Sequence, residues 1–160
     1  DAANLTGSTQ DAVATFSPSS VEGLTVTAGI STKELNDGLT TTSDTNTVMG
    51  RVVYSMGAVS VGYQVAEIDT GTAGTASTDV DAFSIAFNVN ENLAVSYGEY
   101  DKELTSIAGS TAVTEESTGI SVAYTTGAAS VRMTRNDSDN DGHVIGIEQQ
   151  VTEISVVLAF

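Results

Sequence analysis

The sequence predicts an all-β fold, an antiparallel up-and-down meander, and three observations support this prediction. Apolar side chains alternate with small or polar ones along most of the 160 residues, which is the period of a strand. Tight turns alternate with long polar loops, so consecutive strands are expected to form hairpins. Thr, Ser, Gly, Ala and Val dominate the chain, and this composition favours strand over helix.

Nine strands are predicted, separated by two kinds of connection. The strands lie at about residues 10–17, 22–35, 45–56, 58–69, 80–90, 93–104, 117–126, 128–138 and 151–160. The tight connections are "SPSSVEG", "SMGA", "NVNENL" and "TTGA", and the long ones are "NDGLTTTSDT", "DTGTAGTASTDV", "LTSIAGSTAVTEES" and "DSDNDGHVIGIEQQ". A Greek-key sandwich does not alternate its loop lengths in this way, whereas an up-and-down barrel does.

The composition excludes several classes of function. Five Lys and Arg residues face 21 Asp and Glu residues, and the net charge of −16 argues against nucleic acid as a partner. The same charge argues against attachment to anionic lipid by charge alone. There is no Cys, so disulfides and thiolate metal sites are excluded, and this suits an oxidising envelope compartment. No apolar run is long enough for a transmembrane helix.

The two faces of each predicted strand differ in chemistry. In strand 80–90, Phe83, Ile85 and Phe87 share one face, while Ser84 and Ala86 share the other. A soluble sandwich would bury the apolar face in a core, and alternation alone does not exclude that arrangement.

Aromatic residues distinguish a membrane barrel from a sandwich. Each strand that runs into a tight turn, and the last strand, carries one aromatic residue on its apolar face near that end: Phe16, Tyr54, Phe87, Tyr124 and Phe160. A soluble core has no reason to place its rings at one level, whereas the headgroup region of a membrane favours an aromatic girdle there. We therefore expect a transmembrane β-barrel whose apolar face contacts lipid.

The end of the chain carries a resemblance to a known family. The final segment, "EISVVLAF", places Ile154, Val156, Leu158 and Phe160 on one face. Together with the hairpin repeat over residues 10–160, this segment resembles the C-terminal part of a Gram-negative bacterial outer-membrane porin.

The resemblance implies a function and a set of partners. It implies a water-filled channel in the bacterial outer membrane for passive diffusion of small hydrophilic solutes and ions. It also implies a homotrimer, contact with membrane lipid and lipopolysaccharide, and recognition of Ile154, Val156, Leu158 and Phe160 by the barrel assembly machinery.

Residues 1–160 are interpreted as a single transmembrane β-barrel domain. Bacterial barrels have an even number of strands, so nine strands indicate the last part of a porin of about 16 strands. The alternative is an intact eight-stranded barrel with an N-terminal extension, whose interior side chains would leave no channel.

Scarce basic residues suggest which side chains line a pore. Lys33, Arg51, Lys102 and Arg132 fall on the polar phase together with Gln64, and we predict that these five line the pore. The alternative is that the cations only neutralise nearby carboxylates. Most acidic residues lie in or beside the long loops, which predicts weak cation selectivity.

Two carboxylates fit this scheme badly, because Glu67 and Glu99 fall on the apolar phase. Glu67 is far enough from its turn to reach the outer interface. For Glu99, a bulge at Gly98 is predicted to turn the carboxylate inward and Tyr100 outward.

The segment "DSDNDGHVIGIE" matches a calcium-loop pattern. Asp137, Asp139, Asp141 and Glu148 would supply carboxylates, and His143 a carbonyl, to a structural Ca²⁺. The flanking helices of such a loop are missing, so a solvated acidic loop is the alternative.

No enzyme is predicted. The triplet "DTG" at residues 69–71 occurs once, although the aspartic-protease mechanism needs two such carboxylates. His143 is the only histidine, which argues against a histidine-based metal site and a catalytic triad. Two rival functions remain: an acidic, β-rich structural or adhesin protein of the cell surface without a pore, and a small barrel that does not conduct.

Overall fold

The computed structural model describes residues 7–35, 43–69, 77–105 and 112–158, and nine β-strands account for most of them. The strands are β1 (Gly7–Phe16), β2 (Leu24–Leu35), β3 (Ser43–Met56), β4 (Val59–Asp69), β5 (Thr78–Asn88), β6 (Leu93–Leu104), β7 (Val113–Thr126), β8 (Ala129–Asp139) and β9 (Glu148–Leu158). All nine predicted strands are confirmed. Within the described ranges, no helix is long and apolar enough to span a membrane.

The strands form one antiparallel sheet in chain order, from β1 to β9. Each strand pairs with the strands before and after it in the sequence, so the predicted up-and-down meander is confirmed. In the part of the chain that is described, β1 and β9 each have one neighbour.

Two tight turns are hairpin loops of only two residues. Gly57 and Gly127 are the first loop residues, with φ of 58° and 52°. A left-handed φ at the first central position is the requirement of the type II′ turn, whose twist matches that of the flanking strands. The short connections at this end of the sheet therefore follow from glycine placement.

The sheet has two chemically distinct faces, and residues paired across strands share a face. The apolar face begins near the tight turns with residues such as Tyr54, which pairs with Val61, and Ile85, which pairs with Tyr97. The polar face carries mainly Ser, Thr, Gly and Ala. Over residues 62–69 in β4 and residues 115–124 in β7, exposure alternates residue by residue, and there the polar face is the more sheltered one.

The apolar face is not the core of a sandwich. Ile85 is 38% exposed, Val156 is 59% exposed and Val61 is half-buried. Among the described residues, Val80 is the one buried hydrophobic side chain, and it lies on the polar face. Since a soluble protein does not leave so large an apolar surface uncovered, this face fits contact with lipid.

The register is staggered in one direction across the sheet. Phe16 lies at the tight-turn end of β1. The row of cross-strand partners that starts at Phe16 passes through Tyr63 in β4 and ends at Gln150, near the long-loop end of β9. Strands in a barrel must tilt, and such a stagger is the geometric expression of tilt.

The predicted bulge at Gly98 is wrong. The register of β6 runs through this position without an extra residue: Gly98 pairs with Ser84 and Gly119, and Glu99 pairs with Phe83. Glu99 therefore stays on the apolar face, and Tyr100 stays on the polar face opposite Ser117. The contacts of Glu99, described below, explain why no bulge is needed.

Candidate channel face and its borders

The predicted pore-lining residues all lie on the polar face. Arg51 pairs with Thr27 and Gln64, so two of them are direct cross-strand neighbours. The other three are on the same face by register: Lys33, Lys102 and Arg132. The structure thus brings them to one side of the sheet, while their role in a pore stays a prediction.

Hydroxyl groups on the polar face form cross-strand pairs. The oxygens lie between 2.9 and 3.2 Å apart in four pairs: Thr15 with Thr27, Ser55 with Ser60, Ser117 with Ser138, and Thr125 with Ser130. Because a hydroxyl both donates and accepts, each pair keeps a lone pair or a proton available to water. The polar face is therefore a surface that water can wet.

Arg132 and Arg135 occupy opposite faces of β8. Arg132 donates from Nε to the Ser121 hydroxyl at 3.2 Å on the polar face. Arg135 lies on the apolar face, where its Nε is 3.1 Å from Oδ2 of Asp137 and its Nη2 is 3.3 Å from Oδ1. The one basic residue on the apolar face is therefore paired with a carboxylate.

The predicted aromatic girdle is placed at the tight-turn end of the apolar face. Phe16, Tyr54, Phe87 and Tyr124 each lie within two residues of a strand end there, and all four are exposed. Phe160 lies outside the described residues. Of the predicted assembly signal, Ile154, Val156 and Leu158 are exposed on the apolar face of β9, and Phe160 again is not described.

A second aromatic row was missed by sequence reasoning. Tyr63 and Phe83 are cross-strand partners in β4 and β5, and Tyr97 of β6 lies diagonally across from Phe83, as the partner of Ile85. The Tyr63 hydroxyl donates to Oδ1 of Asp81 at 2.5 Å, and the Tyr97 hydroxyl donates to Oε1 of Glu99 at 2.5 Å. Aromatic rings with polar tips are typical of the interfaces of membrane barrels, and in β4 to β6 this row lies where apolar side chains give way to carboxylates.

Beyond this row, the apolar face becomes acidic. Most of the 21 Asp and Glu residues lie here, in the half of each strand nearest the long loops, and we call this region the acidic margin. Its members are Glu34, Asp44, Glu67, Asp69, Asp79, Asp81, Glu99, Asp101, Glu103, Glu116, Asp137, Asp139 and Glu148. Glu67 and Glu99 are therefore members of a continuous charged border.

The predicted calcium ligands are not gathered into one site. In the described part of the chain, no group of three or more His, Asp or Glu side chains is placed to hold a metal ion. Asp137 instead accepts hydrogen bonds from Arg135 and Gln150. The His143 ring turns toward β7, with Nδ1 3.2 Å from the Val113 carbonyl oxygen.

Comparison with known proteins identifies the family. Residues 1–159 match the family model described as Gram-negative porin. No curated protein and no solved structure matches the chain. A family match over nearly the whole length agrees with the separated faces, the staggered meander and the two aromatic rows. The chain therefore belongs to the Gram-negative porin family, a family of outer-membrane channels and not of enzymes.

Proposed function

We propose that the chain lines a water-filled channel for passive diffusion of small hydrophilic solutes and ions, with a weak preference for cations. The observation that carries this proposal is the division of chemistry between the two faces. The polar face carries paired hydroxyls and four of the five basic residues, while exposed apolar side chains cover the other face. Such a sheet separates water from lipid.

The selectivity is weak because the polar face is nearly balanced in charge. Its strands carry the cations Lys33, Arg51, Lys102 and Arg132 and the carboxylates Asp11, Glu115 and Glu153. The preference for cations comes from the end of the sheet that carries the long loops, where the acidic margin and Asp141 create a negative field. A negative field at a channel entrance concentrates cations and repels anions.

The first prediction concerns the salt dependence of this preference. In planar bilayers with a KCl gradient, we expect a K⁺ to Cl⁻ permeability ratio above one at low salt. The ratio should approach one as salt rises, because the Debye length falls from about 10 Å at 0.1 M to about 3 Å at 1 M. The reversal potential measures the ratio, and a preference for chloride at low salt would contradict the proposal.

The second prediction tests which face lines the channel. Arg132→Gln removes a cation from the polar face, so the reversal potential should shift toward stronger cation selectivity. Arg135→Gln is the matched control, because it removes the same charge from the apolar face of the same strand. We expect the larger shift from Arg132→Gln, and equal shifts would show that the polar face does not line the pore.

Solubility without detergent and conductance after insertion separate the rival functions. A surface adhesin would remain soluble without detergent, and a small closed barrel would insert without conducting. The homotrimer and the contacts with lipopolysaccharide and the barrel assembly machinery are also proposals, supported by membership of the family. Contact with membrane lipid is supported by the exposed apolar band.

A further inference from the structure

The connection between β8 and β9 folds over the polar face of β7. The backbone N–H of Gly142 donates to Oε2 of Glu115 at 3.2 Å. Glu115 pairs with Lys102 across the β6–β7 ladder and therefore lies on the polar face. The turn is further tied to β7 by Nδ2 of Asn140, which donates to the Thr114 carbonyl oxygen at 3.0 Å. This turn consequently lies on the side of the sheet assigned to the channel.

The turn is closed by its own hydrogen bonds. The Asp141 N–H donates to the Ile147 carbonyl oxygen at 3.0 Å, and the Gly146 N–H donates to Oδ1 of Asn140 at 2.9 Å. Asn140 adopts a left-handed conformation, with φ of 55°, which asparagine tolerates better than most residues. The backbone that carries Asp141 is thus held in place beside the polar face.

A cleft of about 520 Å³ lies between this turn and the polar face. Its lining includes Tyr100, Glu115, Ser117, Asn136, Asp141 and Gln149. The strands β6, β7, β8 and β9 and the turn all contribute, so the cleft exists only in the folded sheet. A volume of this size falls in the range of small-molecule sites.

Two paired glycines form part of the floor of the cleft. Gly98 and Gly119 are direct cross-strand partners, and both belong to its lining. A Cβ atom at Gly119 would lie 2.8 Å from Oδ1 of Asn136, which is closer than such atoms approach. The absence of side chains here leaves room for the Asn136 amide and for a solute above it.

The lining has the chemistry that recognises an organic cation. Glu115 and Asp141 supply two carboxylates on this side of the sheet, and Glu99 borders the cleft from the apolar face, while no Lys or Arg belongs to the lining. Tyr100 is the one aromatic residue on the polar face in the described strands, and it pairs with Ser117 beside the cleft. An aromatic face attracts an ammonium group, and carboxylates accept charge-assisted hydrogen bonds from it.

We propose that this cleft binds small solutes that carry an ammonium group as they pass through the channel. Asn136, Gln149 and the Ser117 hydroxyl would accept or donate the remaining hydrogen bonds of the solute. The inference rests on the proposed function only in assuming that solutes reach the polar face. The cleft itself follows from the geometry.

Equilibrium binding to the folded protein in detergent micelles tests the site directly. Isothermal titration calorimetry with 1,4-diaminobutane should show saturable binding, and 1,4-butanediol, which has hydroxyls in place of the amines, should bind at least about tenfold more weakly because it lacks the charged donors. Glu115→Gln, Asp141→Asn and Tyr100→Leu should each weaken diamine binding, the carboxylate variants by about tenfold.

Matched controls separate the cleft from the overall charge. Asp11→Asn and Glu153→Gln remove carboxylates from the same face but outside the cleft, and they should leave the affinity unchanged. The proposal is overturned by absent or unsaturable binding, by equal affinity for the diol, or by control variants that weaken binding as much as the cleft variants.

Conductance distinguishes failure of the site from failure of the channel. Millimolar diamine should reduce the single-channel current of the unmodified protein, and Glu115→Gln should relieve this block. Conductance without diamine binding would refute the cleft alone. Diamine binding that the cleft variants abolish, in a protein that inserts but never conducts, would refute the channel and leave the cleft standing.

Discussion

Ile85→Arg is expected to destabilise the folded sheet in lipid by about 2–4 kcal/mol, the cost of a lipid-facing cation near the middle of a bilayer. Ile85 is exposed on the apolar face, and its cross-strand partners are Val61 and Tyr97. Neither cross-strand partner offers a carboxylate, so the new charge would have no carboxylate directly opposite it. Urea titration of folding in lipid vesicles, followed by gel mobility, measures the change in free energy of unfolding.

The matched control for this substitution is Ala86→Arg. Ala86 is the next residue of β5 and lies on the polar face between Ser60 and Ser96. A guanidinium there can extend into water, so we expect a loss below about 1 kcal/mol, as for an ordinary surface change. Equal losses at both positions would show that the apolar face does not contact lipid.

Gly23→Ala is expected to be the most damaging of the glycine changes near the tight turns. Gly23 has φ of 83°, and a Cβ atom there would lie 2.0 Å from the Ser55 carbonyl oxygen. Its own carbonyl oxygen accepts the Ser55 N–H at 2.9 Å, so the two backbones are held together. Alanine therefore combines left-handed strain of about 1–2 kcal/mol with a clash that must open the start of the β2–β3 ladder.

Gly57→Ala isolates the first of these two costs. Gly57 has φ of 58°, yet a Cβ atom there would meet nothing within 4 Å. We expect it to lose only the strain of about 1–2 kcal/mol, and Gly23→Ala to lose at least about 2 kcal/mol more in the same urea titration. If the two variants lost equal stability, the close approach of Gly23 to Ser55 would have no energetic importance.

The sequence was informative about strands and faces because the apolar alternation is strong where lipid contact requires it. Residues such as Ile85 and Val156 have small or polar neighbours in sequence, so period-two patterning predicts both the strand and its face. Strand ends were less predictable. β7 begins at Val113 and β9 at Glu148, several residues before the predicted starts near 117 and 151. These extensions carry polar residues on both faces, and their pairing depends on backbone hydrogen bonds that leave no hydrophobic pattern.

The bulge prediction failed because position along one strand does not give position across the sheet. From β6 alone, Glu99 looks like a carboxylate directed into lipid. The register gives Glu99 the partners Phe83 and Thr118, and Tyr97 donates to it, so the carboxylate lies at the edge of the apolar side chains and is hydrogen-bonded there. The cleft was unpredictable for the same reason, because its residues come from four strands and a turn that only the stagger brings together.

The acidic margin also limits how whole molecules can stand beside one another. Two copies in lateral contact would bring carboxylates of the apolar face together along the half of each strand nearest the long loops. Arg135 is the one Lys or Arg on that face of the described strands, and it is already paired. Like charges repel over the Debye length of about 8 Å at physiological salt. Tight lateral association is therefore confined to the half of the apolar face nearest the tight turns. Neighbouring molecules should be farther apart at the rim that carries the long loops.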